Sequence, residues 1–169
     1  MAGLNGLTLG FRADANVRIY KYTVMTKSVA QATTQNAIYA AVPTGANAVP
    51  LGVLVDHFHE PNYFIPQPSG TAGSGTNYPE NITGTTPASP YNLAGRELTL
   101  QLNGVARCIA ASAIAQGDVV IVADAFGRVK KLGGLASGTY YNAVGYAQNA
   151  VSGLDQILLV ALDFFTGTA

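Results

Sequence analysis

The stretch from Gly95 to Val129, GRELTLQLNGVARCIAASAIAQGDVVIVADAFGRV, contains the pattern that decides the fold. Apolar residues stand at every second position from Leu98 to Leu102, and polar residues, Gln101 among them, stand between. Since side chains alternate along an extended chain, this pattern predicts a strand with one buried and one exposed face. Asn103-Gly104 follows and predicts a tight turn, because both residue types tolerate positive φ.

The second part of the stretch predicts three further strands. Val105 to Ala110 returns from the turn, and the β-branched run Val119 to Ala123 is typical of a strand that is buried on both faces. Arg128 to Lys130 begins the next strand. Asp118 and Asp124 flank the apolar run at turns, where Asp side chains commonly cap backbone N–H groups. Gly104, Gly117 and Gly127 are predicted to close these turns with positive φ. The stretch is therefore predicted to form a series of strands, and it contains no cluster of catalytic residues.

Composition excludes several classes of protein. The 169 residues suffice for one domain with a real core. Only 11% of them are charged, against about 25% in ordinary soluble domains, so we expect much uncharged surface to be covered by partners. The nine basic residues are scattered, which argues against a nucleic-acid partner, because phosphate neutralisation needs clustered Lys or Arg. No apolar run approaches the roughly 20 residues of a membrane span, so we expect no membrane partner.

Residues that could carry chemistry are few. The single cysteine, Cys108, excludes an intrachain disulfide and predicts a small buried side chain on a strand. His57 and His59 would share one face of an extended chain, but two ligands without a third do not make a metal site. The sequence has no nucleophile elbow, phosphate loop or dinucleotide fingerprint. We therefore expect no enzymatic activity, no cofactor and no metal.

The rest of the chain predicts an arm, more strands and one long loop. Residues 1–16 are glycine-rich and are predicted to form an N-terminal arm, loose until a partner orders it. A single β domain is predicted over residues 17–169. Residues 56–93 hold six of the eight prolines and predict a long surface loop. The additional predicted strands are Val17–Met25, Ile38–Val42, Leu51–Val55, Tyr140–Ala147 and Gln156–Leu162.

A weak internal similarity links two segments of the chain. Residues 41–49 resemble residues 123–129, and each segment is followed by a strand that contains glycine. A duplicated strand-turn-strand unit would suit a small barrel or sandwich.

Three blocks of the sequence resemble the family of small phage capsid decoration, or cement, proteins. They are Pro50–Leu54, Ala94–Gly104 and the run from Ala113 to Val129 with the closing strands after it. The resemblance covers roughly residues 38–162, apart from the long loop. It implies an all-β fold, either a small β-barrel, a β-tulip or a jelly-roll-like sandwich, with the long loop and the arm added.

The resemblance also implies a function. Such proteins usually form homotrimers on the outer surface of the phage head, where they bind the major capsid protein after shell expansion and stabilise the shell. The N-terminus lacks the pattern of a signal peptide, so we expect synthesis in the cytoplasm of the bacterial host. The alternative is a β-sandwich adhesion or carbohydrate-binding module displayed on the virion.

Apolar and aromatic residues of the arm, the first strand and the long loop are the candidate contacts with the capsid. They are Leu4, Leu7, Leu9, Phe11, Tyr20, Tyr22, Tyr63, Phe64, Tyr78 and Tyr91. In the alternative function, the four aromatics of the long loop in this set would form a platform on which sugars stack.

Overall fold

The computed structural model describes residues 6–14, 21–28, 39–55 and 97–169. All regular elements in these ranges are strands, which confirms the predicted all-β fold, and none of these residues belongs to a helix that could cross a membrane. The strands are β1 (Thr8–Ala13), β2 (Val24–Lys27), β3 (Tyr39–Ala41), β4 (Gly52–Leu54), β5 (Glu97–Gln101), β6 (Gly104–Ile109), β7 (Val119–Val122), β8 (Val129–Lys131), β9 (Tyr140–Ala147) and β10 (Ile157–Thr168).

Strands β1 to β5 form a small closed barrel in the order β1-β3-β2-β4-β5. Strand β1 closes it, because it pairs with β5 on one side, with Phe11 opposite Leu98, and with β3 on the other, with Arg12 opposite Tyr39. The β1–β3 pair is parallel, whereas the other pairs of the barrel are antiparallel. Buried side chains from all five strands fill the interior: Phe11, Ala13, Met25, Ala40, Leu54, Leu98 and Leu100.

Strands β6 to β10 form a second sheet in the order β6-β10-β9-β7-β8. This sheet curls until its two edges meet: Ala110, just after β6, forms a parallel bridge with Val129 of β8, and Ala111 N donates to Val129 O at 2.7 Å. The inner face carries small and β-branched side chains that pack into one core. They include Ala106, Cys108, Val120, Val122, Val144, Leu158 and Val160.

The chain just before and within β2 joins the barrel to the second sheet. Ile109 N donates to Tyr22 O at 3.1 Å, and Val24 N donates to Gly127 O at 2.7 Å, so this segment spans the seam between β6 and the β7–β8 turn. Val24 pairs with Val53 of β4, and both side chains belong to the core of the second sheet. Because side chains alternate along a strand, their neighbours Met25 and Leu54 fill the barrel instead.

The prediction that residues 1–16 form an arm outside the core is wrong for the part that the structure describes. Within that segment, Thr8–Ala13 is β1, and Phe11 and Ala13 are buried at 5% and 0% exposure. The glycine content misled the prediction. Gly10 lies on the outer side of the strand with open space around it, so it does not interrupt the inner row of apolar side chains.

Two predicted strands have different bounds in the structure. Lys21 and Tyr22 form a turn, with φ of 67° at Tyr22, and β2 begins only at Val24. The turn is needed because the chain here bends across the seam of the second sheet. Strand β10 continues past Leu162 to Thr168, because β9 stays paired with it to the end, with Thr168 opposite Tyr140.

The suggested duplication is not found. Residues 123–129 lie in the hairpin between β7 and β8, whereas β3 and β4, which flank residues 41–49, are separated by β2 in the barrel. The two segments therefore connect strands in different ways. The predicted loop over residues 56–93 lies outside the described residues.

Predictions at single residues in the central stretch mostly hold. Gly104, Gly117 and Gly127 have positive φ of 80°, 87° and 76°, which confirms the predicted turns. Leu98 and Leu100 are buried as predicted. Gln101 is the exception, because it is 5% exposed instead of lying on an open face. The second sheet covers this side of β5, and Gln101 Nε2 donates to Asn103 O and Val105 O at 2.9 and 3.1 Å.

Candidate interaction surfaces

The carboxylates predicted to cap turns do so. Ala115 N donates to Asp118 Oδ2 at 2.8 Å, and Phe126 N donates to Asp124 Oδ1 at 2.9 Å. In the part of the chain that the structure describes, no group of three or more His, Cys, Asp and Glu is placed to hold a metal ion. His57 and His59 lie outside that part.

An ion cluster around Arg128 was missed from the sequence. Arg128 is 8% exposed; its Nε donates to Asp124 Oδ2 at 2.7 Å and its Nη1 to Asp155 Oδ1 at 3.0 Å. Burial raises the pKa of Asp155, against the hydrogen bond and the positive charge of Arg128, which lower it. Because Asp124 follows β7 and Asp155 precedes β10, the guanidinium ties two turns together. Its role is therefore structural.

Cys108 faces the core of the second sheet. Its side chain is fully buried, and this burial raises the pKa of the thiol from 9.0 to about 12. The thiol is thus neutral at physiological pH. Since the thiolate is the reactive form of cysteine, the structure confirms the predicted packing role for this residue.

Of the ten predicted contact residues, two are exposed, two pack within the molecule and six lie outside the described residues. Leu7 and Leu9 are 52% and 46% exposed, so they are available to a partner. Phe11 is buried in the barrel and is not a surface residue, which corrects the prediction. Tyr22 is half-buried against Ile109, and its hydroxyl accepts from Arg107 Nη1 at 3.3 Å, so it packs within the molecule. Outside the described residues lie Leu4, Tyr20, Tyr63, Phe64, Tyr78 and Tyr91.

Three aromatic side chains on β9 and β10 contact one another, and we call them the aromatic patch: Tyr141, Tyr146 and Phe165. Phe165 stacks on Tyr146, with 5.9 Å between ring centroids, and meets Tyr141 edge-on at 6.1 Å. Tyr146 is 39% exposed. The sequence shows these residues but not their proximity, which depends on the register of β9 against β10.

An apolar groove lies beside the barrel, between the β2 end and the β3–β4 loop. Its volume is ≈ 660 Å³. Val49 on its rim is 67% exposed, and at one end Ser28 Oγ donates to Asp14 Oδ2 at 2.6 Å. The lining residues include Thr26, Lys27, Ala41, Val42, Ala48, Pro50 and Leu51.

Comparison with known proteins gives a match in structure only. No family model and no curated protein matches the sequence. Among solved structures, the chain is similar to the N base of the head fiber protein gp8.5 of bacteriophage phi29, with a TM-score of 0.52 and 15% sequence identity. The alignment covers 93% of this chain and 95% of that chain. The two proteins therefore share the fold over nearly their whole lengths.

Proposed function

We propose that this protein is a non-enzymatic structural protein of a phage head, which binds the major capsid protein on the outer surface of the expanded shell and stabilises it. The observation that carries the proposal is the fold shared with a head fiber base over 93% of this chain and 95% of the other. The sequence blocks that resemble capsid decoration proteins support it independently, because that resemblance rests on residue patterns and not on the fold.

The exposed apolar residues provide surfaces for such binding. Leu7 and Leu9 stand about half exposed at one end of β1, and the aromatic patch lies on the second sheet. Isolated exposed apolar residues need no explanation, but contiguous ones mark interaction sites, and aromatic side chains are enriched in protein interfaces. The low charge of the chain, 11%, reduces the cost of desolvating a large contact area.

A homotrimer would strengthen this binding. Closed symmetry is the usual arrangement of homo-oligomers. Three weak contacts carried by one trimer act together, and such linkage raises the overall affinity by ~10²–10⁴ without any new contact. We propose this state on the basis of the resemblance to decoration proteins.

Co-sedimentation with capsids tests the proposal. Expanded shells that lack this protein would be prepared from the phage that encodes it and titrated with purified protein. We expect saturable binding to expanded shells and much weaker binding to unexpanded ones. Protein that stays in the supernatant at saturating concentration would contradict the proposal, and binding to a glycan array instead would favour the adhesion module.

A matched pair of variants locates the contact. The double variant L7S/L9S should weaken capsid binding at least tenfold, which corresponds to about 1.4 kcal/mol. Leu154→Ser is the control, because Leu154 has a similar exposure of 48% but lies in the turn before β10. Thermal melts of each variant separate loss of binding from loss of folding.

A further inference from the structure

The final part of β10 has a strand on one side only. On the β9 side, pairing continues to Thr168 opposite Tyr140. On the β6 side, pairing ends at Leu162 opposite Gly104, where β6 begins. Among the strands that the structure describes, residues 163–168 thus have β9 as their one neighbour, and their other edge is open.

Hydrogen bonds at both ends of β10 show which backbone groups face this open edge. Gln156 O, before the strand, accepts from Ala110 N on the β6 side at 2.9 Å, and Ala169 N, after it, donates to Thr139 O on the β9 side at 3.0 Å. Backbone groups point alternately to the two sides of a strand, and both ends of β10 give the same assignment although its register against β9 shifts between Leu162 and Phe165. Even-numbered residues of β10 therefore face the β6 side, and the N–H and C=O groups of Phe164, Thr166 and Thr168 face the open edge.

Among the described residues, the open edge has little protection beyond the charge of Asp163 at its start. Proteins commonly protect edge strands with Lys, Pro, inward-pointing charges or covering loops. Residues 164–168 have the sequence Phe-Phe-Thr-Gly-Thr, which contains neither charge nor proline, and Asp163 just before them is the one charged residue of the open edge. Thr166 and Thr168 are exposed. An edge of this kind is a template for pairing with another strand.

We propose that this edge pairs with the same edge of a second copy of the chain, antiparallel about a twofold axis at Thr166. In this register Thr166 faces Thr166 of the second copy, and Phe164 faces Thr168. Since all three residues direct their backbone groups to the open edge, each facing pair exchanges both of its hydrogen bonds. The two curled sheets then form one continuous sheet.

The side chains of the edge favour a second copy as the occupant. Phe165 would face Gly167 of the second copy, so its ring would meet the aromatic ring that covers that glycine. In each chain the ring of Tyr141 already lies where a side chain at Gly167 would be, so the ring of Phe165 would extend the aromatic patch across the contact.

The symmetry of this contact extends the proposed function. Pairing of identical edges is isologous and needs a twofold axis, so it cannot be the threefold contact of a homotrimer. It would instead join a chain of one trimer to a chain of the next. Self-association of the free chain is measured without capsids, so failure of capsid binding and failure of this inference are separate results.

Engineered cysteines test both the contact and its register. Facing residues of a hydrogen-bonded pair have Cα atoms about 5.5 Å apart, within the range that a disulfide spans. Under mild oxidation, Thr166→Cys should give a covalent dimer on a non-reducing gel. Thr168→Cys is the matched control, because the same register separates its two copies by roughly 14 Å and should give at least tenfold less dimer. The buried Cys108 does not take part.

A second variant tests the pairing without a cross-link. Thr166→Pro removes an N–H group from the open edge, so it should lower the association constant of the chain at least tenfold in analytical ultracentrifugation while the far-ultraviolet spectrum keeps its strand signal. Equal cross-linking at residues 166 and 168, or no cross-linking at either, would overturn the inference. Cross-linking of Thr166→Cys to the capsid protein but not to itself would show that a capsid strand occupies the edge, and would overturn it too.

Discussion

At the scale of single residues, Gly127 shows how closely the two parts of the molecule approach each other. Its φ is 76°, and a Cβ atom there would overlap the carbonyl oxygen of Val24 and lie 3.0 Å from the Cβ of Thr23. Gly117 has a similar φ of 87° but open space around it. The first glycine is therefore required for packing as well as for its backbone conformation, and the second for its conformation alone.

This pair of glycines gives a direct prediction. Gly117→Ala should cost about 1–2 kcal/mol, the strain of an L-residue in the left-handed region. Gly127→Ala should cost about 1–3 kcal/mol more, because Val24 must also move to make room. Urea denaturation of both variants measures the difference. Equal costs would contradict the close approach of β2 to the β7–β8 turn.

A second prediction concerns the thiol of Cys108. Because its pKa is raised to about 12, the native protein should not react with a disulfide reagent such as DTNB at pH 8, and denaturant should release one thiol per chain. The exposed variant Ser152→Cys is the positive control. The shift also means that the native state loses stability relative to the unfolded state as the pH rises above 9.0, the ordinary pKa of the thiol. Rapid reaction of the native wild-type protein would contradict this burial.

The burial of side chains could be predicted where it follows from the local sequence pattern, and could not be predicted where it depends on other parts of the fold. The alternation around Leu98 and Leu100 is enough to place them in the core. The burial of Gln101 depends on the second sheet, which covers the outer side of β5. Arg128 is buried because Asp155, far along the chain, supplies its second carboxylate. Neither contact follows the residue spacing that is typical of a strand or a turn, so neither could be predicted from local sequence patterns.

At the scale of elements, β1 is where the sequence and the structure differ most. The strand pairs with β5 across a long separation in the chain, with Thr8 opposite Gln101. Local sequence patterns do not predict pairing between strands that are far apart in the chain. The glycines of this segment weakened the strand pattern further. The strands from β5 to β9 were predicted well, because turn residues such as Asn103-Gly104 separate them. The extension of β10 was missed, since only its pairing with β9 sustains it.

The role of β1 in the barrel leads to a third prediction. Phe11→Ala should destabilise the protein by about 3–5 kcal/mol, the range for removing a buried aromatic side chain. Leu9→Ala on the same strand should cost about 1 kcal/mol or less, because Leu9 is 46% exposed. Equal losses in denaturant melts would mean that β1 does not close the barrel as described.

At the scale of the whole molecule, the barrel and the second sheet share contacts that neither could make alone. Val24 and Val53 of the barrel pack in the core of the second sheet. Asn47, in the β3–β4 loop with φ of 60°, donates through its N–H to Val122 O at 2.9 Å and accepts at Oδ1 from Asn142 N at 2.7 Å. The β3–β4 loop of the barrel is thus hydrogen-bonded to both β7 and β9 of the second sheet.

These shared contacts predict cooperative unfolding. Differential scanning calorimetry should show a single transition whose calorimetric and van't Hoff enthalpies agree. Asn47→Gly keeps the backbone conformation but removes the side-chain bonds, and should cost about 1–3 kcal/mol without splitting the transition. Two separate transitions in the wild-type protein would contradict a shared core.

We propose that this molecule acts on a phage head, and a cryo-EM reconstruction of virions from a phage that carries its gene would be the decisive measurement. We expect density on the outer surface of the expanded head into which the closed barrel and the curled second sheet fit, in contact with the major capsid protein and absent from a deletion phage. Density for this fold at the tail alone, or a head surface that is unchanged by the deletion, would contradict it.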